Sequence, residues 1–526
     1  MTATSIEIYD TTLRDGTQQE GISLTAGDKL AVARLLDDLG VAYVEGGWPG
    51  ANPKDDEFFR RAKTELALST ATLVAFGSTR HAGVRAKDDP GLATLLAADT
   101  DVVCLVGKSW DYHVEHALRT TLDEAVAMVA DSVAYLRSQG RRVFFDAEHF
   151  FDGYRSRPEF AVAVLRAAHD AGAERLVLCD TNGGFLSHEV ERTVGAVGEA
   201  LTDAVLGCHF HNDAGMAVGN SLTAVRTGVR QVQGCVNGYG ERTGNADLCS
   251  VIPNLALKMG YDTIPEERLA HLTRVSHHIA EIVNLTLDPH LPYVGASAFT
   301  HKAGLHTSAL ARRADAYEHL PPERVGNATR VVVSELAGRS TVVAKARAQG
   351  LALSDQDAQL VVDRIKELEH AGYTFEAAGG SFELLLREAQ GWKQEFFTLD
   401  SYRVFVEHVG DDVVAEATVK VFVADHRVVT TAEGDGPVSA LDRALRGALT
   451  GSYPAIDRIR LVDYRVRDLD SSDGTSARVR VLCEHSDGEE QWGTVGVHAN
   501  IIDASWKAVV DGLVIGLLRD AERASR

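Results

Sequence analysis

Three short stretches carry residue types that could do chemistry together. The first, YDTTLRDGTQQEG (Tyr9–Gly21), sets a cation, Arg14, beside an acid, Asp15, just ahead of Gly16. The second, AVLGCHFHND (Ala204–Asp213), ends an apolar run with His209 and His211 one residue apart. On an extended segment residues i and i+2 project to the same face, so both imidazoles point one way. Neutral imidazoles are common ligands of divalent transition metals, and Asp15 would complete a two-histidine, one-carboxylate set that leaves positions open for substrate oxygens. Such donors accept Mn, Zn or Mg, so they do not fix the ion. Taken alone, H-x-H is as well explained by two structural histidines. The third stretch, NGYGERTGNADL (Asn237–Leu248), surrounds Glu241, Arg242 and Asn245 with glycines. Gly238 and Gly240 would let backbone approach a cofactor closely, and Asn245 offers a neutral carbonyl oxygen near the metal. A tight turn is the plainer reading of that loop.

Whether these residues meet depends on the elements that carry them. Apolar, β-branched runs recur at intervals of roughly 30 residues, each followed by room for one helix. They begin at Ser5, Ala42, Ala71, Asp101, Arg141, Arg175, Ala204 and Arg230. After the first run, Thr25 can cap a helix with Asp28 three residues on, and Val32, Leu35, Leu36 and Leu39 form its apolar stripe before Gly40. Strands apolar on both faces and alternating with helices imply a parallel sheet, and eight such units predict a closed (β/α)8 TIM barrel over residues 1–286. An open, doubly wound sheet is the rival. In a barrel, functional side chains sit at the C-terminal strand ends. Arg14, Asp15, Glu45, Glu148, His149, Asp180, Thr181, Asn182, His209, His211, Asn212, Asp213 and Asn237 all fall at such ends. Gly16 would bend the first strand end so that Arg14 and Asp15 both serve one cavity.

Composition narrows the classes of function. The 526 residues, 45% hydrophobic and 24% charged, are those of a soluble globular chain of several domains, with no run long enough to span a bilayer. Seventy-five acids against 53 bases, net −22, disfavour binding to nucleic acid. Six cysteines without a C-x-x-C pair read as buried thiols rather than disulfides. An N-terminus that enters a strand almost at once, without the features of a secretion signal, makes the cytoplasm the expected location.

DTTLRDGTQ, HFHND and NGYGERTGNA, in this order on a barrel, resemble the metal-dependent acyltransferases that join acetyl-CoA to a 2-oxo acid, the isopropylmalate, homocitrate and citramalate synthases. Lyases and aldolases share the same metal residues. EGGWPGANPKD (Glu45–Asp55), GKSWDYHV (Gly107–Val114) and FFDAEHFFDGY (Phe144–Tyr154) are similar to the (R)-citramalate synthase branch. The resemblance implies a divalent metal (Mn, Mg or Zn) on Asp15, His209 and His211 with Asn245 in or near its shell. It also implies acetyl-CoA as co-substrate and a Claisen condensation onto pyruvate. Arg14 would stabilise the developing oxyanion and Thr181 would donate its hydroxyl to the pyruvate carboxylate. Glu148, His306 of HKAGLH and Tyr317 of AYEHLPPERVGN are the candidates for proton transfer, the last two reaching a neighbouring subunit in relatives.

Beyond the barrel the periodicity changes. Residues 287–390 read as a linker of small helical subdomains, with Ser354 capping a helix whose face holds Val361, Ile365 and Leu368. Residues 391–526 carry an internal echo, Ala417–Leu449 and Ala477–Leu513, each reading strand, hairpin, strand, glycine-bearing turn, helix. This predicts an α+β domain of two pseudo-repeated halves. EGDGPVSALDRAL resembles the allosteric domain of isopropylmalate synthases, which implies a homodimer and isoleucine as effector; a dimerising domain without an effector site is the alternative. Other functional readings are an isopropylmalate-type synthase acting on a branched oxo acid, a lyase, and a metal-dependent amino-acid sensor that has lost catalysis.

Overall fold

Eight apolar runs bounded by turn residues become eight parallel strands: β1 (Glu7–Asp10), β2 (Tyr43–Gly47), β3 (Thr72–Ser78), β4 (Val102–Lys108), β5 (Arg142–Glu148), β6 (Arg175–Asp180), β7 (Leu206–Phe210) and β8 (Gln231–Gly234). They close in sequence order into a barrel, sealed where Glu7 to Asp10 of β1 pair with Gln231 to Gly234 of β8. The expected (β/α)8 barrel is therefore present, and the open-sheet rival is excluded. The structure, a computed structural model, describes residues 4–301, 313, 316–331, 339–393, 396–410, 412–469 and 478–524.

The helix Ala26–Leu39 shows why the pattern was readable. Thr25 accepts from the backbone of Asp28 and the Asp28 side chain reaches back to Thr25, a reciprocal cap, while Gly40 ends the helix in the left-handed region at φ 92°. Val32, Leu36 and Leu39 are fully buried in the main apolar shell, which lies between strands and helices. Inside the barrel a smaller cluster of Tyr9, Tyr43, Val74, Phe76, Val102, Cys104 and Phe144 forms the floor. All six cysteines are free and buried, and no helix among the described residues is long and apolar enough to cross a membrane.

The chain divides into two compact units, Met1–Phe299 with Leu320–Ala328, and Thr300–His319 with Thr329–Arg526. The segment Leu320–Ala328 belongs with the barrel because its polar groups are satisfied there: Thr273 Oγ1 donates to the Val325 carbonyl at 2.7 Å, and the Asn327 side-chain amide donates to the Tyr293 and Gly295 carbonyls at 2.9 and 3.0 Å. The second unit opens with a two-residue parallel pair, β9 (Thr300–His301) and β10 (Arg330–Val331). Ser354 caps the helix Asp355–His370 and Val361 and Ile365 are buried, as the spacing predicts. Two three-stranded antiparallel sheets follow, β11 (Thr398–Val409), β12 (Asp412–Val423) and β13 (His426–Gly434), then β14 (Arg460–Asp468), β15 (Val479–Ser486) and β16 (Gln491–His498). Each sheet is followed by a helix, Pro437–Leu449 or Ile501–Ala524. The two halves are repeated as expected, with one strand more in each than the echo indicated. The added strands, β11 and β14, carry exposed apolar side chains such as Phe405 and Val462, which blurs the in–out alternation by which a half-buried strand is recognised.

Candidate active site

Asp15, His209 and His211 converge at the C-terminal mouth of the barrel with their donor atoms within 4.8 Å of one another. The turn after β1 that presents Asp15 is stapled to β8: the Thr11 backbone N–H donates to the Gly234 carbonyl at 2.8 Å, and Thr12 Oγ1 accepts from Val236 at 3.0 Å. Asp15 starts a short 3-10 turn, Gly16–Gln18, with ordinary right-handed angles, φ −69° and ψ −42°. The expected bend at Gly16 is thus corrected. Gly16 lies within this turn without a positive φ, and a Cβ there would make ordinary contacts, 3.4 Å from Cys235 Sγ and 3.5 Å from Tyr239 Cβ.

His209 Nε2 lies 3.3 Å from His211 Nε2, and Asp15 Oδ2 lies 3.6 and 4.0 Å from the two nitrogens. Ligands at about 2.1 Å from one ion stand roughly 3.0–3.4 Å apart at tetrahedral or octahedral angles; the His209–His211 edge, 3.3 Å, has that length, and the two edges to Asp15, 3.6 and 4.0 Å, are wider. Burial lowers the pKa of His209, and burial followed by the neighbouring His209 pushes His211 down to about 4. Both rings are neutral at neutral pH, with lone pairs to give. Burial alone would raise Asp15, but Arg14, then the two histidines and the Asn245 amide, hold its carboxyl well below the usual range. Asn245 Nδ2 donates to Asp15 Oδ1 at 3.1 Å and to the Tyr239 carbonyl at 3.0 Å. Its Oδ1, like His211 Nδ1, is buried without a hydrogen-bond partner. A cation at the triangle fits this donor set: the three facing atoms are two imidazole nitrogens and a carboxylate oxygen.

Arg14 sits between two acids. Its Nε donates to Glu45 Oε1 at 2.5 Å and its Nη1 to Asp15 Oδ2 at 2.9 Å, while its guanidinium lies 3.8 Å from the Phe76 ring centroid. Glu45 is fully buried and also accepts from the Tyr9 hydroxyl at 2.5 Å. Burial raises its pKa against the pull of Arg14. A cavity of about 510 Å³ opens over these groups, lined by Arg14, Asp15, Glu148, Thr181, His209 and His211. Trp48, Phe76 and Val106 form part of its apolar wall. Thr181 Oγ1 accepts from the His149 backbone at 2.9 Å, which leaves its own hydroxyl hydrogen to donate. Glu148 is ion-paired with Lys108, its register partner on β4.

The other polar residues at the strand ends divide by role. Asp180 accepts from the backbone of Gly184 and Phe185, Asn212 from that of Ala217, and Asn237 bonds Ser276. Asp213 pairs with Arg242 and Asn182 with Asp152. These hold the βα loops, so the reading that every strand-end polar group serves the cavity is narrowed. Gly238 and Gly240 have positive φ, 66° and 149°. A Cβ on Gly240 would fall 2.2 Å from Asn245 Nδ2, so this glycine lets the loop pass Asn245. Gly238 lines an adjoining cleft that shares Gln18 and Glu241 with the main cavity. Tyr317 is exposed and lies in the other unit, and His306 lies outside the described residues.

Sequence reasoning missed Asp146 and Gln233. Both are buried inside the barrel, where Gln233 bridges His209 and Asp146. The available signal was a polar residue within an otherwise apolar strand run, RRVFFDAEHF and RQVQGCVNG; such a group must be satisfied by a partner across the barrel.

Residues 5–279 match the HMGL-like family model, 293–372 the homocitrate synthase post-HMGL domain-like model, and 376–516 the LeuA allosteric (dimerisation) domain. The chain is 54% identical over 529 residues to the (R)-citramalate synthase of Streptomyces coelicolor, covering 99% of each chain. It is 50% identical over 524 residues to that of Aquifex aeolicus, again with 99% of each covered. Among solved structures, hydroxymethylglutaryl-CoA lyase from Pseudomonas aeruginosa is similar at 18% identity and a TM-score of 0.47, over 59% of this chain and 100% of that one.

Proposed function

The chain belongs to the (R)-citramalate synthase family, with an HMGL-like barrel and a LeuA-type C-terminal domain, and from that membership we propose that it condenses acetyl-CoA with pyruvate and water to give (R)-citramalate and CoA. What carries the reading is the full-length likeness to (R)-citramalate synthases at 54% identity, spanning barrel and C-terminal domain alike.

Asp15, His209 and His211 would hold a divalent ion, with Asn245 beside it. That ion supplies Lewis-acid polarisation of the ketone under attack. Arg14 faces the same cavity, and its guanidinium, fixed by Glu45 and packed on Phe76, is the donor for the oxygen on which charge develops. The fixed geometry matters because a preorganised donor spends no energy reorienting during the reaction. Thr181 turns its hydroxyl hydrogen to the substrate carboxylate, its oxygen being already engaged by His149. Glu148, steadied by Lys108, stands where a proton can be taken from the acetyl methyl or passed on by a partner base. His306 and Tyr317 are kept as the further proton-transfer groups, delivered by a second subunit. Gly238 lines the adjoining cleft, the way along which the chain of acetyl-CoA would leave the cavity, and Gly240 lets the same loop pass Asn245.

The C-terminal domain supports a homodimer with isoleucine as its effector. Its β11–β13 sheet exposes Phe405, Val406 and Val429, 57%, 53% and 52% accessible, apolar side chains that a second copy would cover. Buried free thiols suit the reducing cytoplasm.

One assay tests the whole reading. Free thiol released from acetyl-CoA is expected with pyruvate and not with 2-oxoisovalerate, and millimolar isoleucine is expected to depress that release. Release with 2-oxoisovalerate alone would move the chain to the isopropylmalate type. No release with any 2-oxo acid would favour a sensor, and indifference of both rate and melting temperature to isoleucine would end the effector assignment.

A further inference from the structure

Below the metal seat, a short line of hydrogen bonds runs down into the barrel. His209 Nδ1 stands 3.0 Å from Gln233 Oε1, and Gln233 Nε2 donates to Asp146 Oδ1 at 2.9 Å. All three residues are buried, at 5%, 0% and 3% exposure. His209 and Gln233 are register partners on β7 and β8, so their approach is set by the barrel's own pairing rather than by a loop.

The polarity of this line can run only one way when Asp146 is ionised. A carboxylate accepts and does not donate, so the amide turns its NH2 toward Asp146 and its oxygen toward His209. An oxygen at 3.0 Å from Nδ1 requires the ring hydrogen on Nδ1, which leaves Nε2 bare. Nε2 is the atom that faces His211 and Asp15. Turning the amide over would put an N–H against Nδ1, move the ring hydrogen to Nε2 and close the lone pair to a cation. The geometry points to Gln233 as a positioning residue: with its amide oriented by Asp146, it holds His209 in the tautomer that can ligate a metal. Partners of this kind on ligating histidines are worth about 10–100-fold in metal affinity. The assignment rests on Asp15, His209 and His211 being the metal donors.

The test is Mn(II) binding to the metal-stripped full chain, read from the spectroscopic signal of free Mn(II). It is run at pH 8, above the value of about 7 to which burial and then Glu45 raise Asp146. Gln233→Leu removes both bonds and is expected to weaken binding at least tenfold. The pair Gln233→Glu with Asp146→Asn reverses the donor and acceptor of the lower bond while still presenting an oxygen to Nδ1, and is expected to bind within threefold of the unaltered chain. A loss of less than threefold in Gln233→Leu overturns the proposal, as does a swapped pair that folds yet binds more than threefold weaker. If Gln233→Leu does not fold, the swapped pair decides alone by the same threshold, and a swapped pair that does not fold also counts against it. His211→Ala in the same titration reports on the donor set separately: unchanged affinity there refutes the metal seat itself.

Discussion

Replacing Arg14 by methionine separates the two things this side chain does. Methionine keeps the contact with Phe76 but removes the cation between Glu45 and Asp15, to which Arg14 donates at 2.5 and 2.9 Å. In metal-loaded protein Asp15 is still compensated, so the stranded charge is Glu45, whose side chain has no exposure to water. Breaking a buried pair in this way costs about 3–5 kcal/mol. The Tyr9 hydroxyl, still bonded to Glu45 Oε2, places the expected loss near the lower end, roughly a 6–12 °C fall in the barrel's melting temperature. Adding Glu45→Gln neutralises the stranded group while its amide oxygen continues to accept from Tyr9, so most of that loss should return. Turnover should not return with it. Loss of a preorganised oxyanion donor lowers kcat by about 10²–10³, and glutamine at position 45 does nothing for the substrate oxygen. Calorimetry and thiol release on the single and double variants read the two effects side by side. If Glu45→Gln fails to raise the melting temperature of Arg14→Met, the buried pair is not what Arg14 stabilises. If Arg14→Met keeps kcat within tenfold, its role at the oxyanion is wrong.

Two further outcomes follow from local geometry. Gly240→Ala drives a Cβ to 2.2 Å from Asn245 Nδ2 and should displace the amide from Asp15; loss of such a partner of a ligating group costs about 10–100-fold in metal affinity, so Mn(II) affinity should fall at least about tenfold, and wild-type affinity would show that Asn245 does not support the seat. In the second unit, His485 is fully buried, neither ring nitrogen has a hydrogen-bond partner among the described residues, and burial followed by Arg446 pushes its pKa down to about 4. Its folded-state pKa is depressed, so the unfolded chain binds the extra proton between pH 6.5 and 4, and stability falls across that window as pH drops, by up to about 3 kcal/mol. Asp511, raised to about 7 by burial, acts in the opposite sense over an overlapping range. The difference in denaturant midpoint between His485→Phe and the unaltered chain isolates the histidine: it should grow in favour of the variant from pH 6.5 to 4, and a flat difference would refute the assignment.

The sequence made the scaffold legible because barrel strands and their helices are specified locally. The Thr25–Asp28 cap, the stripe ending at Gly40 and the H-x-H alternation on β7 each depend on residues within one element. Asp15 could be joined to His209 and His211 once closure of the barrel was assumed, since β1 and β7 both flank β8. What could not be read were pairings set by register across strands. Glu148 was visible as an acid at a strand end, but its partner Lys108 follows from β4–β5 register, and Gln233 under His209 from β7–β8 register. Arg14 with Glu45 is a contact of the same kind between the turn after β1 and the neighbouring β2. The turn at Asp15 was misjudged because a glycine after it suggested special backbone freedom, whereas the chain turns there with ordinary right-handed angles.

The barrel's interior explains why that cross-strand information concentrates at one end. Layers of branched apolar side chains would pack such an interior most simply. Here the floor is apolar but largely aromatic, with Tyr9, Tyr43, Phe76 and Phe144 beside Val74 and Val102, and above it stand Arg14, Glu45, Asp146 and Gln233 in place of aliphatic residues. Polar groups removed from water must find partners or lose several kcal/mol each, so each of them is tied to a specific atom across the barrel. The stability is supplied elsewhere, by the apolar shell between strands and helices. The net sign of the upper layer is also decided. Among the described residues Arg14 stands there against the acids Asp15, Glu45 and Asp146, and the last two have raised pKa values because of burial and then a neighbouring acid, Asp15 beside Glu45 and Glu45 beside Asp146. Two neutral imidazoles add lone pairs and no charge. A divalent ion held by Asp15, His209 and His211, as proposed, would relieve the same electrostatic deficit that raises the carboxyls beneath it.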